Sequence, residues 1–119
     1  MKEFKKSYLP KESHSAKAMG SGTLNVLATP AVVEFAENCC ERLLANELKE
    51  GQASVGTWID MKHKRASKTE SKVVVCATII EQTPKGASFE FEVTCGDTVI
   101  ATGQHKRAVI DVERFMANI

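Results

Sequence analysis

The side chains most able to do chemistry in this chain are the hydroxyl of Thr29, the carboxylate of Glu37 and the imidazole of His63. A carboxylate or an imidazole can take a proton from water, and a hydroxyl can hydrogen-bond to a reacting carbonyl group or attack it. These are the groups that water-mediated acyl chemistry uses. The sequence therefore predicts that chemistry, provided that the fold brings the three side chains together.

Thr29 and Glu37 each have a simpler structural explanation. Thr29 stands before Pro30, and a threonine before a helical proline is typical of a helix N-cap, with the proline at the first helical position. Glu37 lies about 100° from Ala36 on a helical wheel, which makes it the helix carboxylate nearest the apolar face. Periodicity alone favours a solvated helix edge for Glu37, so its catalytic assignment needs a second argument.

His63 ends an apolar segment and is in phase with Val55, Ile59 and Met61. This alternation directs the imidazole to the buried face of a strand unless a bulge shifts the register. A satisfied histidine in the core or at an interface would show the same pattern. An imidazole titrates near neutral pH, however, so it can also donate a proton to a departing thiolate or orient a water.

Two more positions suggest contact with a ligand. Gly56 interrupts a predicted strand, which indicates either a bulge or the close approach of another molecule. Arg107 could pair with a phosphate or hold the reacting end of a substrate, or it could be a solvated strand end. Lys62, Lys64 and Arg65 form a basic cluster that suits phosphate groups, although such clusters are usually exposed loops.

One long helix and four strands must position these residues. The helix is predicted from Thr29 to about Leu48, before Gly51 ends it. A helical wheel gives it a wide apolar face: Val32, Val33, Phe35, Ala36, Cys39, Cys40, Leu43 and Leu44. The period then changes to two, and the predicted strands are Ala53–Lys62, Lys72–Glu81, Ala87–Cys95 and Val99–Ile110.

Shorter elements complete the prediction. We expect a first short strand at Ala16–Met19 and a short terminal helix at Asp111–Ala117. The fold class is α+β, because one apolar helix and an antiparallel sheet bury most surface when the sheet curls around the helix. Residues 1–13 are expected to be a polar leader, and residues 14–119 a single domain.

Composition narrows the possible functions. With 16 basic and 15 acidic residues in 119, the chain has no global field to attract nucleic acid or an anionic membrane, so neither is an expected partner. No apolar run is long enough for a membrane span or a signal peptide, and the four cysteines lack disulfide spacing, which predicts a cytoplasmic protein. The scattered histidines and cysteines predict no metal site.

Three segments resemble a known family: Leu27–Pro30, Gly51–Thr57 and Gly103–Ile110. They are similar to segments of the fluoroacetyl-CoA thioesterase-like branch of the hot-dog-fold acyl-CoA thioesterases. The resemblance extends from about His14 to Phe115. It implies the hot-dog fold, an acyl-CoA substrate, no cofactor, and active sites built between two protomers, so that a homodimer or a dimer-based oligomer is expected.

The resemblance also implies roles for individual residues. Thr29, Glu37 and His63 fall on the family's catalytic residues, while Gly56 and Arg107 fall on its substrate-binding ones. The fluoroacetyl-CoA enzyme carries an aromatic-rich lid before its catalytic threonine, and residues 18–25 of this chain contain no aromatic residue. The resemblance therefore favours a small or medium acyl group without assigning fluoroacetate to this chain.

The resulting hypothesis is an acyl-CoA thioesterase that releases a free acid and coenzyme A. Water would attack the thioester with help from Glu37 and His63, while Thr29 and amides at the helix start stabilise the oxyanion. A non-catalytic acyl-CoA or acyl-carrier binding protein and an enoyl-CoA hydratase or dehydratase are the alternatives. Eight residues of helix separate Thr29 from Glu37 by about 12 Å, so either the chain bends there or two protomers share the site.

Overall fold

Strands with one buried and one exposed face are the main elements of this structure, a computed structural model that describes residues 2–119. Each strand alternates apolar and polar residues, so one side of the sheet is dry and the other wet. The strands are β1 (Glu3–Tyr8), β2 (Gln52–His63), β3 (Val73–Thr83), β4 (Gly86–Cys95) and β5 (Thr98–Asp111). The helices are α1 (Ala16–Met19), α2 (Thr29–Ala45) and α3 (Val112–Ala117), with a 3₁₀ turn at Glu12–His14.

The five strands form one antiparallel sheet in the order β1-β3-β4-β5-β2. Helix α2 packs against the dry face, in contact with all five strands. The α+β class and the sheet around one long helix are therefore as predicted. Strands β1 and β2 are the two edges, and their outer backbone groups have no sheet partner within the described chain.

The core lies between α2 and the sheet. Eight residues of the helix are buried: Ala31, Val32, Phe35, Ala36, Cys39, Cys40, Leu43 and Leu44. They meet inward side chains of the sheet, among them Val73, Val75, Phe89, Val93 and Ile100. All four cysteines are free, and no helix in residues 2–119 has the length and apolar character to cross a membrane.

The predicted boundaries of strands β2 to β5 are correct to within two residues, but strand β1 was not predicted. It lies within the segment 1–13, which we expected to be a polar leader. Its lysines and glutamate hid the alternation that the structure shows, in which Phe4 and Tyr8 are the apolar positions. The Tyr8 ring stacks on Phe35 of α2 with centroids 4.8 Å apart, so this edge strand belongs to the sheet.

The predicted strand at Ala16–Met19 is wrong, because these residues form the single-turn helix α1. Its ends are both capped. The Ser15 hydroxyl accepts a hydrogen bond from the Ala18 amide at 3.0 Å, and Gly20 adopts the left-handed conformation (φ 76°) that ends a helix. The caps at both ends therefore determine the secondary structure of this segment, which is too short for periodicity to define.

The ends of α2 also differ from prediction. Ala28, rather than Thr29, is the N-cap, so Thr29 and Pro30 form the start of the first turn. The helix ends at Ala45 with Asn46 as its C-cap, three residues before the predicted end near Leu48. Helix α3 confirms the predicted terminal helix, with the Asp111 side chain accepting from the Arg114 amide at 2.9 Å.

Candidate active site

The start of α2 and the end of β2 bring Thr29 and His63 together. The Thr29 Oγ1 atom lies 2.8 Å from His63 Nδ1. Because Ala28 takes the N-cap position and its side chain makes no capping bond, the Thr29 hydroxyl is not used for capping. It is therefore available to hydrogen-bond to the imidazole, the contact that a hydroxyl and a general base require.

The backbone at the helix start offers fewer donors than we expected. Pro30 has no amide hydrogen, and the Ala31 and Val32 amides both donate to the Ala28 carbonyl at 3.1 Å. Within the described chain, no backbone acceptor is recorded for the Thr29 amide. One amide, rather than several, thus remains at the helix start to stabilise an oxyanion, assisted by the positive end of the helix dipole.

A surface cleft of about 310 Å³ opens beside this pair. Thr29 and His63 line it together with Lys64, Arg65 and apolar side chains that include Val26. The cleft therefore combines a hydroxyl–imidazole pair with two cations and a small apolar wall. The third member of the predicted basic cluster, Lys62, does not line this cleft; it lines another hollow, with Asp60.

The two ring nitrogens of His63 have different surroundings. Burial lowers the pKa of His63, with the Arg65 backbone acting in the opposite direction, so the neutral imidazole is favoured. A neutral imidazole has one donor and one acceptor nitrogen. The Nε2 atom is buried and makes no hydrogen bond of acceptable geometry within residues 2–119. When Nδ1 accepts from Thr29, the proton is on Nε2, which lies near the Arg65 backbone but makes no hydrogen bond of good geometry within residues 2–119.

The register of β2 explains why His63 faces the site. A bulge between Gly56 and Trp58 shifts the pairing with β5, so Ile59 and Met61 pack on the core in phase with His63. Val55, which we placed in the same phase, is on the other side of the bulge and out of register. Gly56 is thus both the bulge position and an inward-facing position.

A second cluster, which we call the arginine cluster, consists of Ser54, Gly56, His105 and Arg107, with Glu37 beside it. A methyl group added at Gly56 would lie 3.2 Å from His105 Cε1, 3.5 Å from Arg107 Nη1 and 3.5 Å from Glu37 Oε2. These groups therefore surround one backbone position. Glu37 is half-buried, as expected of a carboxylate at the border of the apolar face.

Arg107 is held by three hydrogen bonds. Its Nε donates to the Ser54 hydroxyl at 2.8 Å, its Nη2 to the Ser54 carbonyl at 2.9 Å, and its Nη1 to His105 Nε2 at 3.2 Å. His105 is fully buried, and its Nδ1 donates to the Trp58 carbonyl at 2.8 Å. Arg107 is thus a fixed cation rather than the solvated strand end that was the alternative.

Burial also sets the electrostatics of the arginine cluster. It lowers the pKa of His105, although the Trp58 carbonyl and Glu37 act in the opposite direction. Burial likewise lowers the pKa of Arg107, opposed by Glu41 and Glu37. The neutral imidazole and the charged guanidinium are compatible, because the neutral ring leaves Nε2 as an acceptor for the Arg107 donor.

The predicted site residues therefore form two groups within one chain. Thr29 lies with His63, and Glu37 lies with Gly56 and Arg107. Helix α2 is continuous from Thr29 to Ala45, so the chain does not bend between Thr29 and Glu37. Their backbones stay about 12 Å apart along the helix, which leaves the second possibility, a site shared by two protomers, open.

Two residues of the arginine cluster were not identified from the sequence. Ser54 and His105 had no assigned role, although His105 shares the alternation of Arg107 on β5. Residues two apart on a strand face the same side, so this pattern could have placed the histidine beside the arginine. Among residues 2–119 no three histidine, cysteine or acidic side chains group as metal ligands would.

The sequence profile of the fluoroacetyl-CoA-specific thioesterase family matches residues 11–113. A fluoroacetyl-CoA thioesterase from Streptantibioticus cattleyicolor is 34% identical over 96 residues, which span 79% of this chain and 68% of the relative. All five predicted site positions lie between residues 11 and 113, the range that the family profile covers. The resemblance noted in the sequence is thereby confirmed.

Solved structures agree with this result. A structure of the fluoroacetyl-CoA thioesterase superposes with a TM-score of 0.92 at 26% identity, covering 98% of this chain and 90% of that one. A hot-dog-like protein from Thermanaerovibrio acidaminovorans superposes with a TM-score of 0.87 at 16% identity, covering 98% and 86%. The second likeness concerns the fold alone, and together they confirm the predicted hot-dog fold.

Proposed function

We propose that this chain, which belongs to the fluoroacetyl-CoA-specific thioesterase family, hydrolyses a small or medium acyl-CoA to a free acid and coenzyme A. Thioester hydrolysis rests on the family and on the 34% identical thioesterase. The observation that supports the chemistry best is the 2.8 Å contact between Thr29 Oγ1 and His63 Nδ1 beside an open cleft.

In the proposed reaction, water attacks the thioester carbonyl carbon with Glu37 and His63 assisting proton transfer. The Thr29 hydroxyl transfers its hydrogen bond from His63 Nδ1 to the acyl group, which frees Nδ1 to take the proton from water, and the Thr29 amide stabilises the charge that develops on the carbonyl oxygen. The carbon–sulfur bond then breaks, and the coenzyme A thiolate leaves with a proton from the imidazole. No cofactor is required, because a thiolate is already a tolerable leaving group.

We further propose that two copies of the chain complete each site. The buried His63 Nε2 makes no hydrogen bond of good geometry within residues 2–119, and no hydrogen bond to Glu37 is recorded there. His63 thus has a donor without a bonded acceptor, and the Glu37 carboxylate is an acceptor without a bond to this donor. Glu37 of a second copy is the proposed acceptor for the His63 Nε2 proton, which would fix the tautomer that receives a proton at Nδ1.

The edge strand β2 supports a shared site. Within one extended strand, positions 56 and 63 are about 23 Å apart, too far for one chain to join its two groups. If two β2 edges pair antiparallel about a twofold axis, the His63 end of one strand approaches the Gly56 half of the other. Such pairing would also cover an unpaired edge.

The charged residues suit a coenzyme A ester. Lys64 and Arg65 line the cleft beside Thr29, where they could bind phosphate groups, and Arg107 is the fixed cation of the other group. The apolar wall of the cleft is made of small and medium side chains, and residues 18–25 add no aromatic ring. These features support a small or medium acyl group. The four free cysteines support the proposal of a cytoplasmic protein, in which thiols stay reduced.

Thiol release from a panel of acetyl, short-chain, branched and aryl acyl-CoAs tests this proposal. We expect turnover by the wild type and a loss of about 10²- to 10⁴-fold in kcat for Thr29→Ala. Thr29→Ser is the matched control, because it keeps the hydroxyl and loses only a methyl group. A blank without substrate corrects for labelling of the partly exposed Cys76 and Cys95.

The outcomes separate the alternatives. Coenzyme A ester binding without turnover by any variant would replace the enzyme with a binding protein. Hydration of an enoyl-CoA with the thioester intact would indicate a hydratase. A burst of thiol release with an acyl group on Thr29, seen by mass spectrometry, would replace direct water attack with a covalent route.

A further inference from the structure

We propose that His105 is a positioning residue for substrate binding, because with Ser54 it fixes the Arg107 guanidinium beside Gly56 and Glu37. This inference rests on the proposed function, in which Arg107 contacts the substrate. His105 itself is fully buried and touches no substrate. Its role is to hold the arginine in one orientation.

The hydrogen-bond accounting supports this role. An arginine has five N–H donors, and three of them are used by Ser54 and His105. Each terminal nitrogen therefore keeps one free donor. Two free donors on a fixed planar group are the arrangement that binds a phosphate or carbonyl oxygen with defined geometry.

The imidazole is itself held on both sides. Its Nδ1 donates to the Trp58 carbonyl at 2.8 Å, and its ring stacks on Phe89 with centroids 5.9 Å apart. Both restraints come from strands of the same sheet, so the position of Nε2 is defined by the fold. Because the fixed imidazole already restricts Arg107, the arginine loses less conformational freedom when a substrate binds.

Two substitutions separate positioning from a purely structural role. The amide of asparagine lies where His Nδ1 does, so His105→Asn keeps a donor for Trp58 and loses the acceptor for Arg107. The amide of glutamine reaches the position of Nε2, so His105→Gln keeps the acceptor for Arg107 and loses the donor for Trp58. The two variants thus each retain one half of the histidine's hydrogen bonding.

We expect His105→Asn to raise KM about tenfold with kcat changed less than twofold, because ground-state and transition-state binding are lost equally. His105→Gln should keep KM within about threefold of the wild type. In an Arg107→Ala background the two variants should have the same KM. His14→Asn and His14→Gln, at a histidine outside the arginine cluster, are controls.

Thermal unfolding measures the structural contribution separately. If KM follows the loss of the Trp58 bond rather than the Arg107 bond, so that His105→Gln is the weaker binder, the proposal is overturned. Ser54→Ala provides a test should both His105 variants fail to fold. It removes the bond to Nε and should raise KM severalfold, and an unchanged KM would also reject the proposal.

The inference can fail separately from the proposed function. Turnover with an unchanged KM in Arg107→Ala would leave the thioesterase intact and remove the role of the arginine, and with it that of His105. If the wild type hydrolyses no ester, the same variants are compared by calorimetry with coenzyme A itself. Equal affinities for the wild type and His105→Asn would then overturn the positioning role.

Discussion

The pair formed by Thr29 and His63 and the arginine cluster differ in how complete they are. The pair is exposed at Thr29, and His63 Nε2 is buried without a hydrogen bond of good geometry in residues 2–119. In the arginine cluster, both ring nitrogens of His105 are hydrogen-bonded, and Arg107 makes three bonds. Within one chain, the proposed binding group is therefore complete in its hydrogen bonds, and the proposed reacting group is not.

This difference follows from where the two groups lie. The arginine cluster lies between β2 and β5, two strands of one sheet, so backbone pairing fixes its members. The pair lies where β2 ends and α2 begins, at the rim of the fold. A rim site can be completed by another surface, which is what the proposed shared site requires.

The two histidines should give opposite results when replaced by alanine. His63→Ala should lower kcat by about 10³-fold with little loss of stability, because it removes the base from an open site. His105→Ala should lower the free energy of unfolding by about 2–4 kcal/mol, because it leaves a cavity and unpaired partners in the core. Steady-state kinetics and denaturant unfolding of both variants would measure this.

Equal stability losses for the two alanine variants would show that His63 is a structural histidine. The same conclusion would follow if His63→Ala retained its kcat. His63→Gln is a useful third variant, because its volume is close to that of histidine and it cannot act as a general base near neutral pH. We expect it to be as inactive as His63→Ala.

Mixing inactive chains tests whether the two groups act across a subunit interface. Thr29→Ala and Glu37→Ala chains refolded together should recover about a quarter of wild-type activity, because half of the dimers are mixed and one of their two sites is intact. Thr29→Ala mixed with His63→Ala should recover none, since both residues come from the same group. Activity is measured as thiol release.

No recovery in the first mixture, with mixed dimers demonstrated by native mass spectrometry, would contradict the shared site. Recovery in both mixtures would place Thr29 and His63 in different sites, contrary to their 2.8 Å contact. The mixture of Thr29→Ala with His63→Ala therefore tests whether these two residues act in the same site. The mixture with Glu37→Ala tests whether Glu37 of the second copy completes that site.

A methyl group at Gly56 should disturb the arginine cluster without disturbing the pair. In Gly56→Ala the new carbon would lie 3.2 Å from His105 Cε1, a contact that requires the held imidazole to shift. We expect KM to rise about three- to tenfold with kcat nearly unchanged. Gly51→Ala is the control, since its φ of 85° costs stability in open space.

An unchanged KM in Gly56→Ala would mean that the imidazole moves without affecting the arginine. A fall in kcat at constant KM would instead connect this position to the reacting group. Gly51→Ala should lower the unfolding midpoint while leaving KM unchanged, so the two alanine substitutions separate backbone strain from crowding at the site.

The sequence predicted the fold and the reaction well because these depend on patterns and on motifs. Helical periodicity defined α2, alternation defined β2 to β5, and the three family-like segments indicated the thioesterase family. Strand β1 was missed because an edge strand shows only a short apolar alternation, and lysines obscured it. The strand proposed for 16–19 was overruled by the caps at Ser15 and Gly20.

The candidate site was harder to predict because it depends on contacts between distant segments. Periodicity placed Glu37 at the edge of the apolar face, and the structure agrees. It could not pair Thr29 with His63, which belong to different elements. The N-cap lies one residue before the predicted one, at Ala28, and the bulge after Gly56 shifts the register of β2 by one residue. The first leaves the Thr29 hydroxyl free of capping, and the second turns Ser54 toward Arg107.

The smallest expected effect concerns pH, and it separates the histidines again. Burial lowers the pKa of His63, so kcat/KM should fall on acidification with a midpoint below about 6.5. Burial also lowers the pKa of His105. Below about 6.5 the unfolded chain therefore binds a proton that the native state does not, and stability is lost as pH falls toward the native pKa.

His105→Gln removes the titrating imidazole from the native and the unfolded states alike. The difference in unfolding free energy between the wild type and His105→Gln should therefore shrink between pH 7.5 and 5.5, by at most about 1.4 kcal/mol per pH unit. Urea unfolding at several pH values measures it. A constant difference would contradict this prediction, because it would mean that His105 binds its proton equally in the native and the unfolded states.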